Sequence, residues 1–519
     1  MLLRAVRSLL QGAPWSHQDR EDRVVLSAYR EQRGDTRQDL REPDAIFSPA
    51  PPIHGSTPPI HGAAPPIHGA APHIHGADPP VLLRAAPLPR LIRHLLDAPR
   101  LGDPTFVPTF LSTYRTFTGT RRVLEMLTDR LEELGGLSGG PDTPELDEAK
   151  RAVAAVLVVW LRDYPEDFGS VSVLGQLERL GAALGSHLDV GHRVKELRDP
   201  PKEPYGAMDP PKEPYGASYG DADPLEILTF QAQEVAEQLT LNEAALFLRL
   251  RPYECLGSLW SHRDKAGQDG GQDGGQDGVQ DGRRCASVRA TIRHFNFLAG
   301  AVVTSCLGGE GLRPAQRARV IEKWIRVAQE CLALRNLSSL CAIISALQSN
   351  PIHRMRSVWG EVSRRSVRCY EELSDVCSQR DNYSVSRELL RDAPHDPPSR
   401  RHPPGAPDQR PMGIIPYLGT FLRDLVMLDA AMKDEVEDGW INFDKRRKEF
   451  SVLSQLFSLQ SWCRLYRLQP RPRCQRWFNG IRVMGERDSH LLSCAIEPPV
   501  PSPMSPRPPR PTLVITHCN

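Results

Sequence analysis

The chain has 519 residues, 40% of them hydrophobic, and its 65 basic against 64 acidic side chains give a formal net charge of +1. That length accommodates roughly two to four domains, and the even charge balance excludes a global field built for nucleic acid or an acidic membrane. No run of about 18 apolar residues occurs, so no bilayer span is predicted.

The N-terminus, Met1 to Leu10, is apolar but interrupted by Arg4 and Arg7, which argues against a secretory signal; an interfacial amphipathic helix is the alternative reading. Residues 1–80 read as a low-complexity region. Pro-Pro-Ile-His-Gly recurs there with a seven-residue period and places His54, His61, His68 and His75. Proline and glycine in each repeat exclude helix, and weak metal binding by the spaced histidines is the lesser reading beside an expanded repeat.

Residues 81–190 turn helical. Leu88, Leu91, Ile92 and Leu95 share one helix face, as do Val123, Leu124, Leu127, Leu131 and Leu134. Val153 to Leu161 is apolar almost all round and predicts a fully buried helix. Residues 191–223 form a Pro-rich linker in which Asp-Pro-Pro-Lys-Glu-Pro-Tyr-Gly-Ala nearly repeats, presenting Tyr205 and Tyr215.

Residues 224–500 carry the largest predicted core. Glu226 to Leu250 is helical, with a break expected at Thr240 and a new start at Asn242, a capping residue type. Ile292 to Leu307 and Ala315 to Leu334 follow, the latter with Ile321, Trp324, Ile325 and Ala328 on one face. Asn336 then opens a helix that turns Leu337, Leu340, Ile343, Ile344 and Leu347 inward. Between these, Gly-Gln-Asp-Gly repeats to Gly282. Its aspartates are too widely spaced for a calcium loop and read as a surface loop. Residues 392–412 and the tail 501–519 are Pro-rich, and Pro503 to Pro511 resembles an SH3 ligand.

The most telling stretch is Ile414 to Asp429, a turn opening into a helix with Leu422, Leu425, Val426 and Asp429 at helical spacing. A second helix is expected after Gly439, through Ile441-Asn442-Phe443-Asp444-Lys445-Arg446-Arg447-Lys448-Glu449-Phe450. Joined by a short acidic link, the two make a helical hairpin. Phe421, Leu422 and Leu425 read as core. Lys445, Arg446 and Arg447 read either as a solvated basic run or as hairpin-stabilising charges.

Catalytic signatures are missing from the sequence. There is no phosphate-cradling G-x-x-x-x-G-K-[ST], no H-E-x-x-H and no zinc-type Cys/His cluster. The Gly-x-Ser-x-Gly at Gly136 to Gly140 lacks the strand before it that a nucleophile elbow needs, so it reads as a chance match. No metal or cofactor is expected. The 11 cysteines, from Cys255 to Cys518, are odd in number and without a Cys-x-x-Cys pair. Several, such as Cys306, Cys341 and Cys494, lie in apolar helical patterns. That fits reduced, buried thiols of an intracellular protein better than a disulfide framework.

Ordered phrases carry a family resemblance. Phe110-Leu111-Ser112-Thr113-Tyr114-Arg115-Thr116-Phe117-Thr118 and Trp160-Leu161-Arg162-Asp163-Tyr164-Pro165-Glu166-Asp167-Phe168 resemble the N-terminal Ras exchanger motif of Ras-family activators. Leu239-Thr240-Leu241-Asn242 with Pro252 to Trp260, then Ile292 to Asn296, then Leu334 to Arg354, then the hairpin and Cys494 to Pro498, resemble the blocks of their catalytic domain. Leu425-Val426-Met427-Leu428-Asp429 is most similar to the Ral guanine nucleotide dissociation stimulator family. Its members usually end in a Ras-association domain. Only the Pro-rich residues 499–519 follow Pro498, so the chain resembles the short, Rgr-like form of the group without that domain.

The resemblance implies an all-α protein: a helical Ras exchanger module packed on a larger helical catalytic domain with a protruding hairpin. It implies guanine nucleotide exchange on a Ras-family GTPase, Ral preferred, without covalent chemistry, in the cytoplasm and at the membrane periphery where the GTPase resides. It also implies GTPase contacts. Val426 matches an apolar position that intrudes on the Mg²⁺ site. Asp429 is the nearest carboxylate, because Ala430 stands where Ras activators carry Glu. Tyr417 matches an aromatic that packs on a switch segment, and His353 and Lys448 match positions facing the GTPase. Asn296 joins this set, with a cap or buried hydrogen-bonding role as the alternative for it and for Asn336. Two rivals fit the same residues: an inactive scaffold with this fold that binds through Pro-rich segments, and exchange directed at Ras or Rap.

Overall fold

The computed structural model describes residues 46–49, 81–136, 143–198, 222–260, 285–309, 311–391 and 413–499. The histidine repeats, the linker tyrosines, the Gly-Gln-Asp-Gly insert, the segment 392–412 and the Pro-rich tail lie outside the described residues.

The first group of elements comprises strands β1 (Ile46–Pro49) and β2 (Val81–Ala86) and helices α1 (Leu88–Asp97), α2 (Phe106–Thr113), α3 (Thr120–Gly136), α4 (Pro144–Asp163), α5 (Val171–Leu184) and α6 (Gly191–Arg198). The second comprises α7 (Ala232–Arg249), α8 (Gly257–Trp260), α9 (Ala286–Leu307), α10 (Pro314–Ala333), α11 (Leu337–Leu347), α12 (Asn350–His353), α13 (Arg356–Gly360), α14 (Arg364–Val376) and α15 (Ser384–Arg391). It continues with α16 (Leu418–Ala431), strand β3 (Ile441–Asn442), α17 (Phe443–Cys463), α18 (Pro472–Asn479) and α19 (Glu486–Ile496). Helices dominate, as the all-α expectation requires. The small antiparallel sheet β1-β2-β3, in which Ala85 and Ala86 pair with Asn442 and Ile441, is not expected from the sequence. A two-residue strand is too short to show a period of two.

Local chemistry sets the helix ends. Thr143 caps α4 by accepting from the Leu146 amide at 3.3 Å, with Pro144 at the first helical position and Glu145 and Asp147 in the first turn, where backbone amides favour negative charge. In this first group Leu91, Ile92 and Leu95 of α1 and Val123, Leu124, Leu127 and Leu131 of α3 are buried in one core. The apolar stretch of α4 differs from expectation. Val153, Val156, Leu157 and Trp160 are buried, but Val158 is 48% exposed and Ala155 is exposed. The helix is one-sided, and its outer valines simply face solvent.

The two phrases of this module meet at one carboxylate. Asp167 accepts from the Tyr114 hydroxyl at 2.8 Å, from the Trp160 indole at 2.8 Å and from Arg115 Nε at 2.9 Å, with an ion pair to Arg115 Nη2. Ser112 and Tyr164 share a hydroxyl hydrogen bond of 2.7 Å. A buried charge of this kind is tolerable only when fully bonded, which explains why these residue types occur together.

In the second group α11 is the central helix, buried at every position except Ser345. Asn336 is its cap: Oδ1 accepts from the Ser339 amide at 3.0 Å, and Nδ2 donates to Thr240 Oγ1 at 3.0 Å. The expected break at Thr240 does not occur. Thr240 donates to the Ala236 carbonyl one turn back at 2.8 Å, so its hydroxyl is satisfied inside an unbroken α7, and Asn242 is buried mid-helix rather than capping. Cys306 and Cys341 are buried free thiols as expected, whereas Cys494 is half-buried.

Glu243 of α7 and His294 of α9 are fully buried, with His294 Nε2 3.6 Å from Glu243 Oε1. Burial pushes the Glu243 carboxyl up to about 8 from its ordinary 4.5 and the His294 imidazole down to about 4 from 6.5, so the pair is neutral near pH 7. The two groups act oppositely on stability. His294, lowered on folding, costs stability as pH falls below its unfolded value of 6.5. Glu243, raised on folding, costs stability as pH rises from 4.5 through about 8,. Between 4.5 and 6.5 the slopes oppose; above 6.5 the Glu243 loss stands alone. The melting temperature is therefore expected to fall from pH 6.5 to 8, and Glu243→Gln to flatten that slope. An equal slope in wild type and variant would contradict the neutral pair.

Candidate functional site

The hairpin begins where Ile414 and Ile415 are stitched to the start of α11. The Ile415 amide donates to the Arg335 carbonyl at 3.1 Å, and the Leu337 amide donates to the Ile415 carbonyl at 2.9 Å. Pro416 follows, and Tyr417 is the N-cap residue of α16. The Tyr417 ring folds back over the first turn: a Cβ on Gly419 would stand 2.5 Å from it, so a larger residue there would displace the ring. The ring lies 5.4 Å from Phe295 and 5.8 Å from Tyr383, and burial pushes its hydroxyl well above the ordinary value.

Along α16, Leu418, Phe421, Leu422, Leu425 and Val426 are buried. α8 packs beside it so closely that a Cβ on Gly257 would stand 2.9 Å from the Leu425 carbonyl oxygen and 3.0 Å from Asp429 Cβ. The acidic link then returns the chain through β3 to α17, which Asn442 caps by accepting from the Lys445 amide at 3.2 Å.

A buried charge cluster closes the hairpin base. Lys445 Nζ donates to Asp429 Oδ1 at 2.7 Å and to Asp434 Oδ1 at 2.6 Å, with a side chain only 1% exposed. Arg446 pairs with Asp434, donates to Glu449 Oε2 at 2.8 Å and reaches Thr116 Oγ1 of the first module at 2.7 Å. Two cations thus face three carboxylates. Burial, opposed by Arg446 and Lys445, raises the Glu449 carboxyl. The basic run is hairpin-stabilising at Lys445 and Arg446, not solvated.

The first module grips α17 along its length. Phe106 stacks on Phe443 at 4.3 Å. Arg447 donates to Asp103 at 2.5 Å and to Thr105 at 2.8 Å. Burial alone would raise Asp103, but His94, Arg447 and Thr105 hold its carboxyl well below the usual range. Arg84 of β2 meets Asp444 at 2.7 Å, an exposed and screened pair,. Arg115, anchored on Asp167, lies 3.8 Å above the Tyr253 ring, which joins the module to the segment leading into α8.

The six residues singled out from the sequence fall in different places. Tyr417 and Asn296 lie close together, since Tyr417 packs on Phe295. Asn296 is half-buried, and its Oδ1 is enclosed with no hydrogen-bond partner among the described residues. His353 is exposed at the end of α12, which packs on α9, α11 and α19. Val426 is 5% exposed, on the flank of α16 that packs against α8. Asp429 is engaged by Lys445, its side chain 8% exposed. Lys448 is half-buried on the flank of α17 near Asp444 and Arg84. Its pKa is lowered by burial, with Asp444 opposing and Arg84 adding to the shift. Sequence reading missed Asp434 and Gly257. The spacing of Glu449 at i+4 from Lys445 and i+3 from Arg446 was the available signal for the cluster.

Residues 234–447 match the RasGEF domain family and residues 82–180 the RasGEF N-terminal motif, which sets the class of the protein: a RasGEF-domain chain whose hairpin is clamped by the module that precedes it. The chain is 47% identical over 465 residues to Ral guanine nucleotide dissociation stimulator-like 2 of Homo sapiens, covering 84% of this chain and 57% of that protein. It is 39% identical over 458 residues to Ral guanine nucleotide dissociation stimulator-like 3 of Mus musculus, covering 82% and 63%. It is 37% identical over 281 residues to Ral-GDS-related protein of Homo sapiens, covering 53% and 55%. The chain thus carries both RasGEF regions, is homologous to Ral guanine nucleotide dissociation stimulator-like proteins, and spans a little over half the length of these relatives. Among the described residues no helix is long and apolar enough to cross a membrane.

Proposed function

We propose that this chain promotes GDP release from a Ras-family GTPase, with Ral preferred, by stabilising the nucleotide-free state through the α16–α17 hairpin, at the membrane surface where the GTPase resides. The observation that carries the reading is the rigid mounting of the hairpin: an ionic base, an aromatic start at Tyr417 and the first module bonded along α17. A rigid wedge loses little entropy on docking, so more of its contact energy remains to favour the open GTPase. The preference for Ral rests on the names of the relatives.

No covalent step is needed. A factor that binds the nucleotide-free state more tightly weakens nucleotide affinity by the same ratio, and a ratio of about 10⁴ needs roughly 5.5 kcal/mol of differential binding. Tyr417, Asn296, His353 and Lys448 are proposed to meet the GTPase from accessible edges. Val426 and Asp429 are proposed to meet it through the small part of each that is exposed at the hairpin edge, with α16 held in place. The test is release of a fluorescent GDP analogue from Ral, Ras and Rap in parallel, with Tyr417→Ala as the hairpin variant.

A further inference from the structure

Between α14 and α15 three consecutive non-glycine residues, Asp381, Asn382 and Tyr383, have φ of +47°, +53° and +61°. The left-handed conformation crowds Cβ against the following carbonyl oxygen. Asp and Asn tolerate it, whereas a bulky tyrosine there is an outlier. Such a backbone persists only where its surroundings over-determine it, and it gathers at functional elements.

What holds this segment is the first helix of the hairpin. Arg387 Nη2 donates to Asp424 Oδ1 at 2.9 Å and Oδ2 at 2.8 Å, while its Nε donates to the Asn382 carbonyl at 2.7 Å. Asn382 Nδ2 donates to Asp424 Oδ1 at 3.2 Å. Tyr383 is buried and packs on the Tyr417 ring; burial raises its hydroxyl pKa, and the charge of Arg423 on α16 opposes that shift. The Arg387 and Asp424 side chains are 21% and 22% exposed, so salt screens them less than a surface pair. By helical spacing, Asp424 and Val426 lie on opposite flanks of the core-facing stripe of α16. α8 holds the Val426 flank; the left-handed segment holds the other.

We propose that residues 381–387 form a lateral brace that fixes the angle of α16, and that Arg387 and Tyr383 are positioning residues for nucleotide exchange. The inference rests on the exchange reading above. The brace touches the hairpin helix through Asp424, Arg423 and Tyr417, and it orients the face that would meet the GTPase without forming that face.

The test uses the full chain with Arg387→Ala, Asp424→Ala, the double variant and Asp381→Gly. GDP release is read as maximal rate and half-saturating concentration, beside hydrogen exchange of residues 418–431. Each single alanine variant is expected to lower the maximal rate about tenfold with a smaller change in half-saturation, and the double variant to lose no more than the worse single one, as coupled partners do. Hydrogen exchange of α16 is expected to quicken about tenfold in both. Asp381→Gly retains the wild-type rate, because glycine takes the left-handed conformation freely. Rates within about twofold of wild type for Arg387→Ala, additive losses in the double variant, or a loss in Asp381→Gly equal to that of Arg387→Ala would each overturn the brace. If the wild-type chain accelerates no GTPase, the exchange reading fails by itself. Hydrogen exchange then decides the brace, and unchanged α16 protection in Arg387→Ala overturns it.

Discussion

Lys445→Ala is expected to destabilise the protein by about 3–5 kcal/mol, the usual consequence of removing one partner from a buried ionic cluster. Lys445 Nζ sits between Asp429 and Asp434, and Glu449 completes the cluster. Without the ammonium, Asp429 loses its ion-pair partner and Arg446 alone offsets Asp434 and Glu449 in a largely buried site. The cheapest relief is for the link between α16 and α17 to open and solvate them, which uncouples the two helices of the hairpin. The variant is therefore expected to lose stability in urea unfolding, to expose residues 429–449 to hydrogen exchange, and to lose nucleotide exchange more than tenfold through the loosened hairpin. A stability change below about 1 kcal/mol would show that the cluster behaves like a surface pair.

The second large effect is expected in the N-terminal module. Asp167→Ala removes the acceptor shared by Tyr114, Trp160 and Arg115. Arg115 is then left almost buried with its charge unanswered, at a cost again of about 3–5 kcal/mol. The damage should travel, because Arg115 also stacks on Tyr253 and the adjacent Thr116 receives a hydrogen bond from Arg446 at the hairpin base. Asp167→Asn keeps the size and part of the hydrogen bonding and is expected to lose less. Calorimetry on the full chain checks this: a melting temperature within a degree or two of wild type for Asp167→Ala would contradict the hub.

Much of this architecture was legible because it repeats a periodic signal. The faces of α1, α3 and α11, the turn at Pro416 and the two hairpin helices follow from apolar spacing and from residues such as Asn336 that cap. What failed to show was pairing across long sequence distances. Thr240 looked like a helix break because threonine competes for backbone hydrogen bonds, yet its hydroxyl is occupied by Ala236 and Asn336. Lys445 and Arg446 looked the same as Arg447 in sequence, and only the return of Asp429 and Asp434 beside them marks them as interior charges. Asp424 and Arg387 sit in separate helices with the undescribed segment 392–412 between them, and no local pattern joins them. The candidate contact set follows from the family phrases alone. The structure adds that Val426 and Asp429 are built into the hairpin itself while His353 stands exposed.

The most direct measurement is release of fluorescent GDP from Ral on addition of the full chain, with Ras and Rap alongside and Tyr417→Ala and Val426→Asp as variants. The account predicts saturable acceleration, greatest on Ral and lost in both variants while each remains folded. A folded wild-type chain that accelerates release from none of the three GTPases would contradict it.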